Sequence, residues 1–250
     1  MLDIDAATLS DAHHLPRGWH FALLAAETPR SALRVDGFPG FGTPLPDLGL
    51  PRLLLAGRSV TVLADILIGA EVYRKSSLKD LKHKTTASGP IAIATVETRL
   101  SPEPGGVAAI VESATYVLKG ASSQAAAGPT AFDAAGATFR KVVVPDETML
   151  FQYSALGFNS HRIHLDRSYA TGVEGHPDLV VNGGLVALLM TELVRGEIGV
   201  QPTAWRIKHL APLYCGRPVT LAAFRTSDGW RVAAMDDHAR LAAEMEVEVR

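Results

Sequence analysis

Short stretches rich in apolar and β-branched residues, each bounded by turn residues, recur along most of this chain. They predict strands over residues 58–65, 71–76, 91–99, 107–118, 139–144, 204–210, 218–224, 230–235 and 241–249. The second pair of long stretches is split by SPEPGG (residues 101–106), a strong turn signal, so 91–99 and 107–118 read as an antiparallel hairpin. Helical patterning is scarcer. The Pro- and Gly-rich first 50 residues hold one candidate helix over 18–26, and residues 145–151 suit a short turn or helix. The informative helix spans residues 180–195. Asn182 is a favourable N-cap, Gly183 and Gly184 follow, and Leu185, Val186, Leu188, Leu189, Met190, Leu193 and Val194 cover nearly every face. A helix apolar all round is a buried one. One buried helix followed only by strands predicts a sheet wrapped around it, an α+β layout without βαβ units.

Residues 121–137 interrupt this pattern near the midpoint of the chain. They are small, nearly uncharged and hold little that packs, so they predict a linker. The expected organisation is a first half over 1–120, the linker over 121–137 and a second half over 138–250.

Composition narrows the function. Across 250 residues, 24 Lys and Arg stand against 26 Asp and Glu, for a formal net charge of −2. That balance argues against a general nucleic-acid or anionic-membrane binder. The apolar run at 179–194 is broken by Asn182, Gly183, Gly184, Thr191 and Glu192 and falls short of a bilayer span. The acidic start MLDIDAATLSD is unlike a secretory signal, and the single cysteine, Cys215, allows no intrachain disulfide; both lead to a cytoplasmic expectation.

The densest polar constellation is FQYSALGFNSHRIHLDRSY (residues 151–169), with Tyr153, Asn159, His161, His164 and Asp166. It lies just before the buried helix. The free N–H groups and positive dipole end of that helix, with two glycines allowing close approach, would face it. A general base opposite a set of backbone donors is what an enolate or oxyanion reaction needs. Loop histidines also serve structural roles, and spacing alone leaves both readings open. His161, His164 and Asp166 also have metal-ligand spacing, and His164, Asp166 and His209 or His238 would suit an iron site of all-β oxygenases. The fully apolar helix argues against that fold.

The run YSALGFNSHRIHLDRSYA (153–170), followed by HPDLVVNGGL (176–185), resembles the hydroxyacyl-thioester dehydratase type 2 and mesaconyl/itaconyl-CoA hydratase group of the MaoC-like hot-dog hydratases. RKSSLKDLKHKTTASGPIAIATVE (74–97) and IKHLAPLY (207–214) resemble the same proteins. The resemblance implies a double hot-dog, with two antiparallel sheets each wrapped on a helix. It also implies reversible hydration of a 2-enoyl thioester of coenzyme A or acyl carrier protein, with no cofactor beyond the substrate's own coenzyme A. In the wider family's Asp-x-Asn-Pro-aliphatic-His motif, Asn159 takes the Asp place, His161 the Asn place and His164 the His place. Asn182 and Gly183 match the segment that supplies the oxyanion N–H. The implied catalytic residues are thus Asn159, His161, His164 and Gly183, with Tyr153, Asn182 and Gly184 at the substrate. The chain departs from the family at Gln152, Gly157, Leu165 and Asn182.

The basic run Arg74, Lys75, Lys79, Lys82 and Lys84 offers cations for the phosphates of such a thioester, Arg74 and Lys84 in particular; lysines guarding an edge strand are the other reading. A hot-dog thioesterase and a non-catalytic acyl-thioester-binding protein stand as alternatives, and a homodimer is a further expectation. No nucleic acid, membrane or resident metal is expected.

Overall fold

A computed structural model describes residues 1–5, 9, 13–25, 27–120 and 130–249. The first half supplies β1 (Arg52–Val62), β2 (Tyr73–Thr86), β3 (Gly89–Ser101) and β4 (Ile110–Lys119). In β3 the two-residue period is plain: Ala92, Ala94, Val96, Thr98 and Leu100 are buried, and the residues between them are more open. β3 and β4 pair antiparallel, as the turn between them predicts. Strand β2 is open on both faces and carries the lysines expected of an edge.

The second half adds β5 (Phe139–Val143), α2 (Glu147–Leu156), α3 (Arg167–Gly172), α4 (Gly183–Glu192), β6 (Pro202–His209), β7 (Val219–Arg225), β8 (Gly229–Met235) and β9 (Leu241–Val249); α1 (His20–Leu23) precedes them all. Among the described residues these strands form one nine-stranded sheet in the order β2-β3-β4-β1-β6-β9-β8-β7-β5. The halves meet at β1 and β6, paired antiparallel from Gly57↔Lys208 to Thr61↔Ala204. A bulge between Leu55 and Gly57 bends β1 at this seam. A side chain on Gly57 would stand 2.6 Å from the Ile207 carbonyl oxygen, so the close approach of the halves depends on that glycine.

Helix α4 is buried from Gly184 to Thr191, as its apolar pattern predicts; Leu185, Ala187 and Met190 have no exposed surface. It packs against α1 and β8 within the main core. It ends at Glu192, and a π-turn (Leu193–Ile198) completes the expected length. The helix of the first half is much shorter than residues 18–26 suggest. Only four residues are helical, and the chain leaves helical geometry at Leu24, with φ −116° and ψ 35°. The inner face of the first-half sheet is therefore only partly covered. Phe38, Phe41, Leu45, Leu48 and Leu50 pack over Leu53, Ala92, Ala94, Val96 and Leu118, and the remaining space is open. Of the expected linker, residues 121–129 lie outside the described residues. Ala131, just beyond them, bridges to Arg240. No helix among the described residues is long and apolar enough to cross a membrane.

Candidate active site

A cavity of about 1080 Å³ runs between the halves, against the inner face of β1, β3 and β4 and the start of α4. The motif between α2 and α4 forms one wall. Asp146 caps α2, accepting from the Met149 N–H at 2.8 Å, and the helix runs on to Leu156, beyond the short turn expected over 145–151. Phe158 then adopts a left-handed backbone at φ 49°, rare for a bulky residue, and Asn159 N–H returns to the Ser154 carbonyl at 2.8 Å. A 3₁₀ turn (Arg162–His164) follows, and Asp166 caps α3 by accepting from Tyr169 N–H at 2.9 Å.

This turn places His161 and His164 edge to face, with ring centroids 5.3 Å apart. His164 Nδ1 lies 2.7 Å from the Val180 carbonyl oxygen. A carbonyl only accepts, so Nδ1 carries the proton and Nε2 of the neutral ring is left with its lone pair. Burial pushes the His164 pKa down to about 3, with His161 adding to the effect and the Val180 bond opposing it. Burial likewise lowers His161 to about 4, helped by Arg34 and His176. Both rings are neutral bases at neutral pH.

Gly183 opens α4 across the same cavity. The first N–H groups of a helix have no intrahelical acceptor, and here the N-cap side chain does not cap them. Asn182 occupies the N-cap position, but the expected capping bond is absent. Its Nδ2 donates to Ser154 Oγ at 3.3 Å instead, and its Oδ1 is buried without a partner. Both glycines are closely approached, Gly184 the more tightly. A side chain at Gly183 would touch Leu55 and His209, and one at Gly184 would collide with the Tyr153 hydroxyl. Tyr153 donates to the Phe21 carbonyl at 3.3 Å, and burial raises its pKa so that it stays a donor.

Tyr153, Asn159, His161, His164, Asn182, Gly183, Gly184 and Arg74 all line the cavity. Lys84 is exposed near the far end of β2 and does not, so the basic run divides rather than acting together. Lys79 and Lys82 pair with Glu97 and Asp80. Asn159 Oδ1 accepts the His161 N–H at 3.1 Å. Asp166 binds locally to Arg162 and Tyr169 N–H. Among the described residues no three His, Cys, Asp or Glu come together as metal ligands, so the spacing that suggested an iron site is not a cluster in space.

Residues 18–215 match the hydroxyacyl-thioester dehydratase type 2 family. The chain belongs to that family. A mesaconyl-C(4)-CoA hydratase of Chloroflexus aurantiacus is 33% identical over 214 residues, covering 86% of this chain and 76% of that one. The mitochondrial hydroxyacyl-thioester dehydratase type 2 of Schizosaccharomyces pombe is 33% identical over 92 residues, 36% of this chain and 31% of its own. These relatives are named for adding or removing water and are hydro-lyases. Among solved structures, HtdX of Mycobacterium tuberculosis superposes with a TM-score of 0.68 at 16% identity, covering 98% of this chain and 93% of that one. A second protein of that organism, described as a double hot-dog, gives 0.63 at 15% identity over 99% and 86% of the two chains. The fold of this family member is a double hot-dog, its first-half helix reduced to one turn.

The family motif leads to the second half, but the first half contributes charges that motif reading missed. Arg58 Nη1 donates to Glu112 Oε1 at 2.6 Å, and His20 Nε2 approaches Glu112 Oε2 at 3.4 Å. Burial alone would raise the Glu112 carboxyl; Arg58, His20 and Arg74 outweigh it and hold its pKa at about 2. All four residues line the cavity. His209, named in the sequence only as a possible iron ligand, also belongs to this cavity. It follows Trp205 and Ile207 on the inner face of β6, beside Gly183, and burial pushes its pKa down to about 3, with Arg58 adding. Lys208, one position earlier, is exposed. For Arg58, Glu112 and His209 the signal was a polar residue at a strand position facing the cavity; His20 lies in α1, and Arg74 had already been singled out in the basic run.

Proposed function

We propose that this protein reversibly adds water to a 2-enoyl thioester of coenzyme A. The observation that carries the reading is the His164–Val180 bond, which leaves Nε2 as a buried neutral base in a cavity shared with the open helix start at Gly183. In hydration, Nε2 takes one proton from water as its oxygen bonds to C3. The C2–C3 π electrons move towards the thioester, and Gly183 N–H donates to the oxygen that becomes negative. C2 then takes the proton from His164, which returns to neutral; dehydration is the reverse. One such donor is typically worth about 3 kcal/mol in the transition state.

The first-half end of the cavity favours a short acyl group ending in a carboxylate. Arg74 donates to the Leu24 carbonyl at 3.0 Å and pairs with no carboxylate among the described residues, whereas Arg58 already holds Glu112. Stripping water from these charges would penalise a long alkyl tail. The name of the Chloroflexus relative, a mesaconyl thioester hydratase, supports the same class.

The test is a panel of enoyl-CoA thioesters in which chain length and a distal carboxylate vary independently, followed by enoyl absorbance and free thiol. Loss of absorbance without thiol release is expected, fastest for a short carboxylated substrate. His164→Ala is expected to cut kcat by at least about 100-fold in a folded protein. Thiol release, or near-normal turnover by folded His164→Ala, would overturn the reading.

A further inference from the structure

The His pair needs a carboxylate that its own motif does not provide. Asn159 is neutral and spends its oxygen on a backbone N–H, and Asp166 turns away to Arg162. The carboxylate within ion-pair distance of His161 comes from the other half of the chain. Asp36 Oδ2 lies 3.8 Å from His161 Nε2, and each side chain is 8% exposed.

The approach is fixed from several directions. Asp36 O accepts Arg162 N–H at 2.9 Å, and Gly37 O accepts Ser160 Oγ at 2.7 Å. Gly37 has φ 78°, and a side chain there would collide with the Ser160 carbonyl. The Phe38 ring packs edge-on to His161 at 5.7 Å. Asp36 itself is held through Oδ1, which accepts Phe38 N–H at 3.0 Å, while Oδ2 faces Arg34 at 3.4 Å as well as His161. Three consecutive residues of the first half are thus clamped onto the turn that carries the two histidines.

We infer that Asp36 is the positioning carboxylate of the reaction, acting through His161 in place of the acid absent at position 159. This rests on the hydratase reading. Asp36 favours the Nε2–H form of His161 and fixes the ring plane against His164. When water gives up its proton, a positive charge appears on the buried His pair, and burial disfavours it. Asp36 offsets that charge until the proton passes to C2. Asp36 is absent from the cavity lining, so its action is through the ring and not on substrate.

Asp36→Asn removes the charge while leaving an oxygen for Phe38 N–H. The expected result is a kcat loss of about 10- to 100-fold, with KM within about twofold and melting temperature nearly unchanged. Ring ¹⁵N spectra at neutral pH, assigned with His161→Gln, are expected to show Nε2–H for His161 in the wild type and loss of that preference in Asp36→Asn. Unchanged kcat in folded Asp36→Asn, an effect on KM alone, or an Nδ1–H His161 in the wild type would each overturn the inference. Should Asp36→Asn fail to fold, the wild-type spectrum still decides the pairing. A wild type that hydrates no enoyl thioester would overturn the catalytic role together with the hydratase reading. The spectrum would then still separate a wrong reaction from a wrong pairing.

Discussion

Tyr153 and Gly184 are matched to each other, and that match is what keeps the start of α4 open. The Tyr153 hydroxyl occupies the space that a side chain at position 184 would need, and it is buried with Phe21 as its acceptor. Neither partner can yield cheaply, because the phenol is enclosed and Gly184 sits in the first helical turn. Gly184→Ala is therefore expected to destabilise the protein by about 1–3 kcal/mol through overpacking and to displace Tyr153. Removing the hydroxyl relieves part of the collision. The double variant Gly184→Ala/Tyr153→Phe should lose less than the two single variants added together, and denaturant unfolding of all four proteins measures the coupling. A sum equal to the parts would show that the two residues do not press on each other. The GG pair was legible in the sequence as a place of close approach, and the constellation holding Tyr153 was expected to face it. Leu55 and His209, which approach Gly183 from the two central strands, were not legible there, and only the fold brings them in.

At the level of elements, the long apolar helix and the later strands follow from local pattern, because burial on the sheet and local propensity agree there. The first half is less legible. Its helix stops after one turn, its cover is an irregular apolar loop, and its charged residues point inward where alternation alone suggests packing. Asp36 carries no motif signal at all: its importance depends on the backbone bonds that dock residues 36–38 against Ser160 and Arg162. The seam between β1 and β6 is similarly a property of two elements. Gly57 lies at a bulge beside the Ile207 carbonyl, a backbone group that cannot rotate aside. Gly57→Ala is expected to cost about 1–3 kcal/mol by forcing the strands apart. Hydrogen exchange should show the loss concentrated in the amides that pair β1 with β6 and spared in β7 and β8. Uniform loss across the sheet would place the strain elsewhere.

The whole molecule carries its neutral histidines around one cavity, and this links its stability to acidity. His161, His164 and His209 are each pushed well below the ordinary imidazole pKa of 6.5 by burial, to about 4, 3 and 3. An unfolded chain returns all three to about 6.5. Between roughly pH 6.5 and the folded values, the unfolded chain binds protons that the folded one excludes, so stability rises with pH across that window. Above it, the stabilisation from neutral burial is fully present. On acidification it drains away and is lost once pH has fallen through the folded values. By pH 5 each ring should have cost on the order of 1–2 kcal/mol, since one pKa unit corresponds to about 1.4 kcal/mol. The buried Glu112 adds no loss at that pH, because Arg58 and His20 keep it ionised down to about 2. The melting temperature is thus expected to fall steadily from pH 7 to pH 5, and the slope to shrink when His209 is replaced by the uncharged Gln. A melting temperature flat over that range, or a slope indifferent to His209→Gln, would mean that these rings take up protons in the folded state. The same exclusion of protons that keeps His164 available as a base is what makes the molecule sensitive to acid.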